Sequence, residues 1–397
     1  MPNEARGGGH LRRHLQRPPG PRPTAVGGDR RGAGRRAPGA DRLALQHRRR
    51  RYPTAGPREG CRPRRGPPGA RRLGPPGGGR RAGGAGLIVD RLTVLLLRLI
   101  ALLPLPAVHA LGAAAGWLAG RLPLKMTRIA RINIDLCLAD LPAAERRRIL
   151  HACMVETGKM FAENGPMQLW PAGRVQALAR EVEGFGAVRE AMSAGRGVII
   201  ASPHLGCWEM VGMFISTHYT MTTLYRPQKG TLNDLLVAGR ERSGARLAPA
   251  DARGVRRLLA VLKEGGMVGI LPDQDPGRNG GIFAPFFGVT ANTMVLPAKM
   301  VRRTGAALFF AWAERLPRGR GYRLHFVPAD PTVGDPDLER AATALNAGME
   351  GLIRRRPEQY WWSYPRFRWG PEGRTGLYRS TSRRDSRERA ERPMSGE

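Results

Sequence analysis

The chain has 397 residues and a formal net charge of +34 at pH 7, with 66 Lys and Arg against 32 Asp and Glu. This length suits two or three domains, and the basic balance favours acidic partners such as an anionic membrane or nucleic acid. Cys61, Cys137, Cys153 and Cys207 have neither paired nor C-x-x-C spacing. They exclude a disulfide framework and a cysteine zinc site, and they indicate a reducing compartment.

Residues 1–86 are dominated by Arg, Gly and Pro and have few large apolar side chains. Such a segment cannot bury enough surface to offset its ordering entropy, so we expect it to be disordered. Three interpretations remain open: a solvated tail, an arm that binds RNA phosphates, and a translation start that truly lies near residues 86–89. Tyr52 is the one aromatic residue in the segment, so stacking platforms for bases are missing and no nucleic-acid partner is expected.

The next segment, residues 87–122, is predicted to be a membrane anchor. Its apolar run at 92–119 is long enough to cross a bilayer, which takes about 20 apolar residues. Arg98 and His109 interrupt the run, and Pro104 and Pro106 would kink or divide a helix. A single apolar helix and two shorter helices in the interface therefore fit equally well.

Basic residues follow the anchor at Arg121, Lys125, Arg128 and Arg131. Cytoplasmic flanks of membrane segments are enriched in such residues. We therefore expect attachment to the inner membrane, with residues 123–375 facing the cytoplasm. The Ser-, Arg- and Glu-rich residues 376–397 are expected to be a disordered tail.

Strand and helix patterns alternate through residues 123–375, which predicts an α/β fold with a central mixed sheet flanked by helices. The pair 306–312 and 322–327 is expected to form a β-hairpin at one edge. Strands are predicted at 198–200, 221–225, 267–271, 306–312 and 322–327, and helices at 143–162, 185–194, 232–243, 255–263 and 338–355.

The run ASPHLGCWEM at residues 201–210 follows the first of these buried strands and contains His204 and Glu209. A His becomes a useful general base when a carboxylate fixes its tautomer, so the pair indicates proton abstraction from a hydroxyl. Five residues correspond to about 140° on a helix, so His204 is expected in the loop, with Glu209 reaching back from the helix. The alternatives are a helix-capping His204 beside a solvated Glu209, and a mechanism that uses the Cys207 thiol.

Polar residues directly follow three predicted strands: His204, Arg226 and Asp273. In open α/β sheets, ligands bind outside the carboxyl ends of the strands. These three residues are therefore expected to line one site.

Five short motifs follow one another along residues 92–373: HLGCWE at 204–209, YRP at 225–227, GRER at 239–242, PDQD at 272–275 and PEQYWWSYPRFR at 357–368. Together these motifs resemble the lipid A late acyltransferases, the lauroyl and myristoyl transferases of the H-x-x-x-x-D/E acyltransferase type, which have a glycerolipid-acyltransferase-like fold. Cys207 stands where that family commonly has Asn.

The resemblance implies transfer of a fatty acyl chain from acyl carrier protein to a hydroxyl of an acyl chain on a lipid A precursor. His204 would be the general base and Glu209 would orient it. The implied partners are acyl carrier protein, the lipid A precursor and an anionic membrane, with no cofactor and no metal. Another glycolipid or a lysophospholipid remains an alternative acceptor.

The resemblance also implies a set of substrate-binding residues. Arg226, Arg240 and Arg242 are anion-binding candidates, because guanidinium groups match phosphates. Asp273 is expected to position an Arg or the substrate. The alternatives are a solvated helix face for Arg240 and Arg242 and a loop-capping role for Asp273.

Overall fold

The computed structural model describes residues 84–225, 230–277 and 280–379. Most of the predicted leader and tail, and Arg226 of the predicted site, lie outside these residues. The helices are α1 Gly84–Ala101, α2 Leu105–Arg121, α3 Lys125–Cys137, α4 Ala143–Leu169, α5 Ala172–Gln176, α6 Phe185–Ser193, α7 Trp208–Ile215, α8 Thr231–Arg242, α9 Ala252–Lys263, α10 Leu296–Thr304 and α11 Leu338–Ile353.

The strands match the predicted ones closely where the sequence has a continuous apolar run. They are β1 Ala179–Glu183, β2 Val198–Ala201, β3 Met221–Tyr225, β4 Arg246–Pro249, β5 Met267–Ile270, β6 Gly281–Phe286, β7 Val289–Met294, β8 Ala307–Arg315, β9 Tyr322–Pro328, β10 Trp369–Gly370 and β11 Gly373–Arg374.

Seven strands form one mixed sheet in the order β1-β9-β8-β2-β5-β3-β4, which confirms the predicted α/β class. Within it, β2 is parallel to both β5 and β8, and β3 is parallel to β5 and β4. The strands β8 and β9 form the expected antiparallel hairpin. Its predicted edge position is wrong, because β1 pairs in parallel with the outer side of β9.

The central strand β2 is buried along its whole length and contributes to a hydrophobic core on each face of the sheet. Val198 and Ile200 pack in one core, and Ile199 and Ala201 pack in the other. This division follows from the alternation of side chains along a strand. Because helices cover both faces, β2 and β5 are apolar throughout instead of alternating with polar residues.

The pairing of β2 with β5 positions the site. Ala201 lies opposite Ile270, the last residue of β5. His204 lies three residues after Ala201, and Asp273 lies three residues after Ile270. Both residues therefore lie at the same level, just beyond the ends of the two strands. The parallel register therefore brings together two residues that are 69 positions apart in the chain.

The predicted anchor forms the two helices α1 and α2, divided at Leu102–Pro104 as its prolines indicate. Both pack against the long helix α4, and the indole of Trp170 donates to the carbonyl oxygen of Ala101 at 2.6 Å. In the part of the chain that the structure describes, no helix is both long and apolar enough to cross a membrane. The segment forms two helices, as the second alternative predicts, and their position in a membrane interface stays a prediction.

Candidate active site

His204 lies in the loop between β2 and α7, and its partner is Asp273. The imidazole Nδ1 is 2.8 Å from Asp273 Oδ1, and the backbone N–H of His204 donates to Oδ2 at 2.9 Å. Asp273 is only 2% exposed. Burial opposes its ionisation, but the charge and hydrogen bonds of His204 lower the pKa of Asp273 below its ordinary value of 3.8. The carboxylate is therefore ionised at neutral pH and accepts a hydrogen bond from Nδ1–H.

This arrangement fixes the tautomer of His204. An ionised carboxylate can only accept hydrogen bonds, so Nδ1 carries the hydrogen, and in the neutral imidazole Nε2 carries the lone pair. Nε2 is 3.2 Å from the side-chain amide nitrogen of Gln274. The imidazole therefore presents its basic nitrogen away from Asp273, which is the geometry that a general base requires.

Two tryptophans hold the imidazole ring in place. The ring centroid of His204 is 4.7 Å from that of Trp208, edge to face, and 5.4 Å from that of Trp361. The two indoles stack on each other at 6.1 Å. The backbone N–H of Trp361 also donates to the carbonyl oxygen of His204 at 3.0 Å, so both the ring and the main chain are fixed.

Glu209 lies in the first turn of α7, as predicted, but its carboxylate binds Arg240 of α8. The guanidinium Nε donates to Oε2 at 3.0 Å and Nη2 donates to Oε1 at 2.5 Å, a bidentate pair. The amide of Gln168 donates to the same Oε2 at 3.3 Å. The expectation that Glu209 itself orients His204 is therefore corrected: α7 turns the Glu209 side chain toward α8, and Asp273 occupies the position beside Nδ1.

The Glu209–Arg240 pair is electrostatically strong. Burial opposes ionisation of Glu209, but the charge and the hydrogen bonds of Arg240 lower its pKa below the ordinary value of 4.5. In return, the Glu209 carboxylate raises the pKa of Arg240. The side chains are 14% and 25% exposed, so water screens the pair only partly.

The loop that carries His204 is clamped to the rest of the sheet. Gly206 has a positive φ of 60°, and an added Cβ would lie 2.0 Å from the carbonyl oxygen of Ala313, so this turn requires glycine. Its N–H donates to the carbonyl oxygen of Gln359 at 3.0 Å. Its own carbonyl oxygen accepts from Arg315 Nη2, also at 3.0 Å.

Arg315 is held in turn by a buried cluster of polar groups. Its Nε and Nη2 donate to the two oxygens of Glu163, each at 2.8 Å. Tyr322 donates its hydroxyl to Glu163 at 2.8 Å, and His109 of α2 contacts the same carboxylate at 2.7 Å. This cluster explains His109, which interrupts the apolar run of the predicted anchor: it reaches a buried carboxylate.

Cys207 is unsuited to act as a nucleophile. It is 4% exposed, and burial together with the charge of Glu163 raises the pKa of its thiol well above the ordinary value. The reactive form of a cysteine is the thiolate, so the structure disfavours the thiol mechanism. Within residues 84–225, 230–277 and 280–379, no group of three or more His, Cys, Asp or Glu side chains is placed to hold a metal ion.

A cavity that opens to solvent adjoins the site on one face of the sheet. Trp208, Glu209 and Arg240 line it on the side of α7 and α8. The rest of its wall is mainly apolar and includes Ile200, Val211, Met213, Met221, Leu224 and Ile270. A cavity with a mainly apolar wall is suited to a hydrocarbon chain.

The predicted anion-binding residues Arg240 and Arg242 have different contacts in the structure. Arg240 reaches the cavity, whereas Arg242 donates to the carbonyl oxygen of Trp170 at the end of α4 at 2.9 Å, so anion binding by Arg242 stays a prediction. Sequence reasoning missed Gln274, Trp208, Trp361 and Arg315 as site residues. The first three lie within the motifs PDQD, HLGCWE and PEQYWW, so their position in the motifs was an available signal.

Comparisons with known proteins show which family the chain is similar to. Residues 86–369 match the family model described as bacterial lipid A biosynthesis acyltransferase. The lipid A biosynthesis palmitoleoyltransferase of Escherichia coli is 34% identical over 283 residues, which cover 70% of this chain and 90% of that protein. The lipid A biosynthesis lauroyltransferase of Escherichia coli is 30% identical over 289 residues, which cover 72% and 94%. A phosphatidylinositol mannoside acyltransferase of Mycobacterium tuberculosis is 31% identical over 218 residues, which cover 52% and 66%.

Proposed function

This chain belongs to the bacterial lipid A biosynthesis acyltransferase family, and from that membership we propose the detailed reaction that it performs. It transfers a lauroyl or myristoyl chain from acyl carrier protein to the hydroxyl of an acyl chain already attached to a lipid A precursor. One observation carries the mechanism: His204 presents a basic Nε2 while buried Asp273 holds its Nδ1.

The reaction proceeds by attack of the acceptor hydroxyl on the thioester. His204 Nε2 removes the hydroxyl proton as the oxygen bonds to the thioester carbon, and the carbonyl oxygen becomes an oxyanion. The imidazolium is stabilised by the ionised Asp273. When the tetrahedral intermediate collapses, the C–S bond breaks, and the imidazolium returns its proton to the leaving thiolate of the carrier.

In this mechanism Glu209 acts through Arg240. The carboxylate uses the Nε and Nη2 groups of the guanidinium, which fixes α7 to α8 and places the cation on the wall of the cavity. Arg240 is then available to attract an anionic group of the carrier arm or of the precursor. Glu209 is therefore a positioning residue, and Asp273 is the carboxylate that contacts the base.

The acyl chain of the donor lies in the apolar cavity. The mainly apolar wall of this cavity, which includes Ile200, Val211 and Met213, supports that placement. Acyl carrier protein as the donor rests on the family resemblance and on the basic net charge of +34, which attracts an acidic carrier.

Membrane attachment is proposed from the surfaces of α1 and α2. Leu92, Leu95, Leu96, Leu99 and Leu102 are each more than half exposed, as are Trp117 and Leu118. The basic residues Arg91, Arg98 and Arg121 are exposed on the same two helices. Apolar and cationic groups together suit a helix pair that lies in the interface of an anionic bilayer, with the catalytic domain on the cytoplasmic side of the inner membrane.

Acylation of another glycolipid is the second candidate function. It is favoured by the similarity to a phosphatidylinositol mannoside acyltransferase, because the same base could serve a different acceptor hydroxyl. A panel of acceptors separates the two candidates.

The test is acyl transfer by the full chain in membranes, with carrier-protein thioesters of several chain lengths and a tetra-acylated lipid A precursor. Transfer that is lost in His204→Ala supports the proposed reaction. Retention of full transfer by His204→Ala would refute the role of the base. Transfer by the unmodified protein to a mannosylated phospholipid, with none to the precursor, would establish the second candidate.

A further inference from the structure

The oxyanion of the proposed reaction needs a hydrogen-bond donor, and Gln274 is placed to supply it. Gln274 directly follows Asp273 in the loop after β5, and its side chain is half-buried. Its amide nitrogen is 3.2 Å from His204 Nε2, the atom that must receive the substrate proton. The fold therefore brings a neutral donor to the reacting centre by the same loop that orients the base.

The chemistry of the imidazole identifies which amide atom faces it. Because Nδ1–H is donated to Asp273, Nε2 has a lone pair and accepts. The amide N–H of Gln274 can donate to it, whereas the amide oxygen could not bond to an unprotonated nitrogen. The N–H group of Gln274 thus lies where the acceptor hydroxyl must bind to Nε2.

When the hydroxyl binds to Nε2, it displaces this N–H group. The amide is then next to the carbonyl group under attack, since that carbon must lie within bonding reach of the hydroxyl oxygen. A positioned neutral donor contributes most where charge develops, and the negative charge develops on the carbonyl oxygen.

We propose that the side-chain amide of Gln274 donates a hydrogen bond to the thioester carbonyl oxygen and stabilises the oxyanion formed on it. This inference rests on the proposed function. The C–O bond forms, the carbonyl π electrons move to the oxygen that Gln274 contacts, and the proton moves to His204. Collapse returns those electrons and expels the carrier thiolate.

The experiment compares Gln274→Ala and Gln274→Glu in the full chain with Gln176→Ala and Gln176→Glu as matched controls. Gln176 ends α5, away from the loop after β5. Loss of one oxyanion donor lowers kcat by about 100- to 1,000-fold, so both Gln274 variants are expected to fall by that order with little change in KM for either substrate. The Gln176 variants should retain the rate, and the thermal unfolding midpoint should stay unchanged in all four.

The pH profile separates a donor from a merely structural residue. In Gln274→Glu a carboxylate replaces the amide beside Nε2, while Asp273 remains the charged group at Nδ1. The added negative charge favours the imidazolium, so the acid limb of kcat/KM should move to higher pH. In Gln274→Ala the limb should stay in place although kcat falls.

Two outcomes would overturn the inference. If Gln274→Ala keeps its kcat and binds the acceptor more tightly, the amide only competes with the hydroxyl. If kcat and KM are both unchanged, other groups stabilise the oxyanion. The proposed function fails separately, either by retained activity of His204→Ala or by the absence of transfer to the lipid A precursor in the unmodified protein.

Discussion

The site contains two partly or fully buried carboxylates that have different partners and different tasks. Asp273 holds a histidine that must change its charge during the reaction. Glu209 holds an arginine that keeps its charge throughout. The first pair is built by the register of two parallel strands, and the second joins side chains of the two helices α7 and α8. A short sequence motif can thus supply one residue to a hydrogen-bonded His–Asp pair and another to a separate ion pair.

The largest expected effect comes from removing the carboxylate that holds His204. Asp273→Asn presents an amide to Nδ1 and favours the tautomer with the hydrogen on Nε2, so the base is lost. The corresponding change in a serine protease triad costs about 10,000-fold in kcat, and we expect a fall of about 1,000- to 10,000-fold here. Steady-state acyl transfer measures it.

Asp251→Asn is the matched control for that variant. Asp251 caps α9 through the N–H groups of Arg253 and Gly254, and Asn caps helices about as well as Asp. Its activity should stay near that of the unmodified protein. Comparable losses in both variants would mean that the Asp273 effect is not specific to the base.

A smaller loss of activity, with a loss of stability, is expected for Glu209→Gln. The variant leaves the Arg240 guanidinium without its counter-ion and loosens α8 from α7. Breaking a fully buried pair costs about 3–5 kcal/mol, and the exposed quarter of Arg240 reduces this to about 2–3 kcal/mol. Displacement of Arg240 should lower kcat/KM by up to about 100-fold.

Denaturant unfolding of Glu209→Gln, Arg240→Gln and the double variant measures the coupling between the two side chains. The double variant should be less destabilised than the sum of the single variants. Strict additivity would show that the two side chains do not interact in solution.

Protonation of these two carboxylates is expected to lower the free energy of unfolding in acid. Their pKa values in the folded protein lie below the ordinary 3.8 of Asp273 and 4.5 of Glu209. Each therefore contributes stability that is present above those ordinary values and is lost as the pH falls through the lowered pKa. The free energy of unfolding should decrease less steeply below pH 4.5 in Glu209→Gln than in the unmodified protein. Equal slopes would contradict the lowered pKa of Glu209.

The smallest effect is expected where α1 meets α8. Asp90 accepts hydrogen bonds from the N–H groups of Thr231 and Leu232, at 2.6 and 3.1 Å, and so caps the helix that carries Arg240. Asp90→Ala should reduce kcat/KM a few-fold by loosening α8, and Asp90→Asn should recover most of the loss. The tautomer of His204 should stay the same in both variants. A change in that tautomer would mean that the two ion pairs are not independent.

Much of the fold could be predicted from the sequence, because the buried strands are continuous apolar runs. The strand β3 has the predicted bounds, and His204 lies in the predicted loop after β2. The edge strand β1 was missed, because its residues are largely exposed and have no apolar run. The hairpin of β6 and β7 was missed as well, since Pro285 and the polar residues of β7 conceal its pattern.

The partners of His204 and Glu209 could not be assigned from the local motif. The five-residue spacing fixes where His204 and Glu209 lie relative to each other along the chain. It does not identify their partners, which lie 69 positions from His204 and 31 positions from Glu209. From the sequence, Asp273 is a residue at a strand end that is expected to position an Arg or the substrate, or else to cap the loop. The strand order that places β5 beside β2 decides that task, and this order is a property of the whole sheet.

The assignment of Asp273 as the partner of His204 is tested most directly by the tautomer of His204, measured by ¹⁵N NMR on protein labelled at histidine. The protein has 8 His residues, and the His204 signals are assigned by their loss in His204→Gln. We predict hydrogen on Nδ1 in the unmodified protein and in Glu209→Gln, and loss of that tautomer in Asp273→Asn. Loss of the tautomer in Glu209→Gln, with retention in Asp273→Asn, would contradict the assignment of Asp273 as the partner of the base.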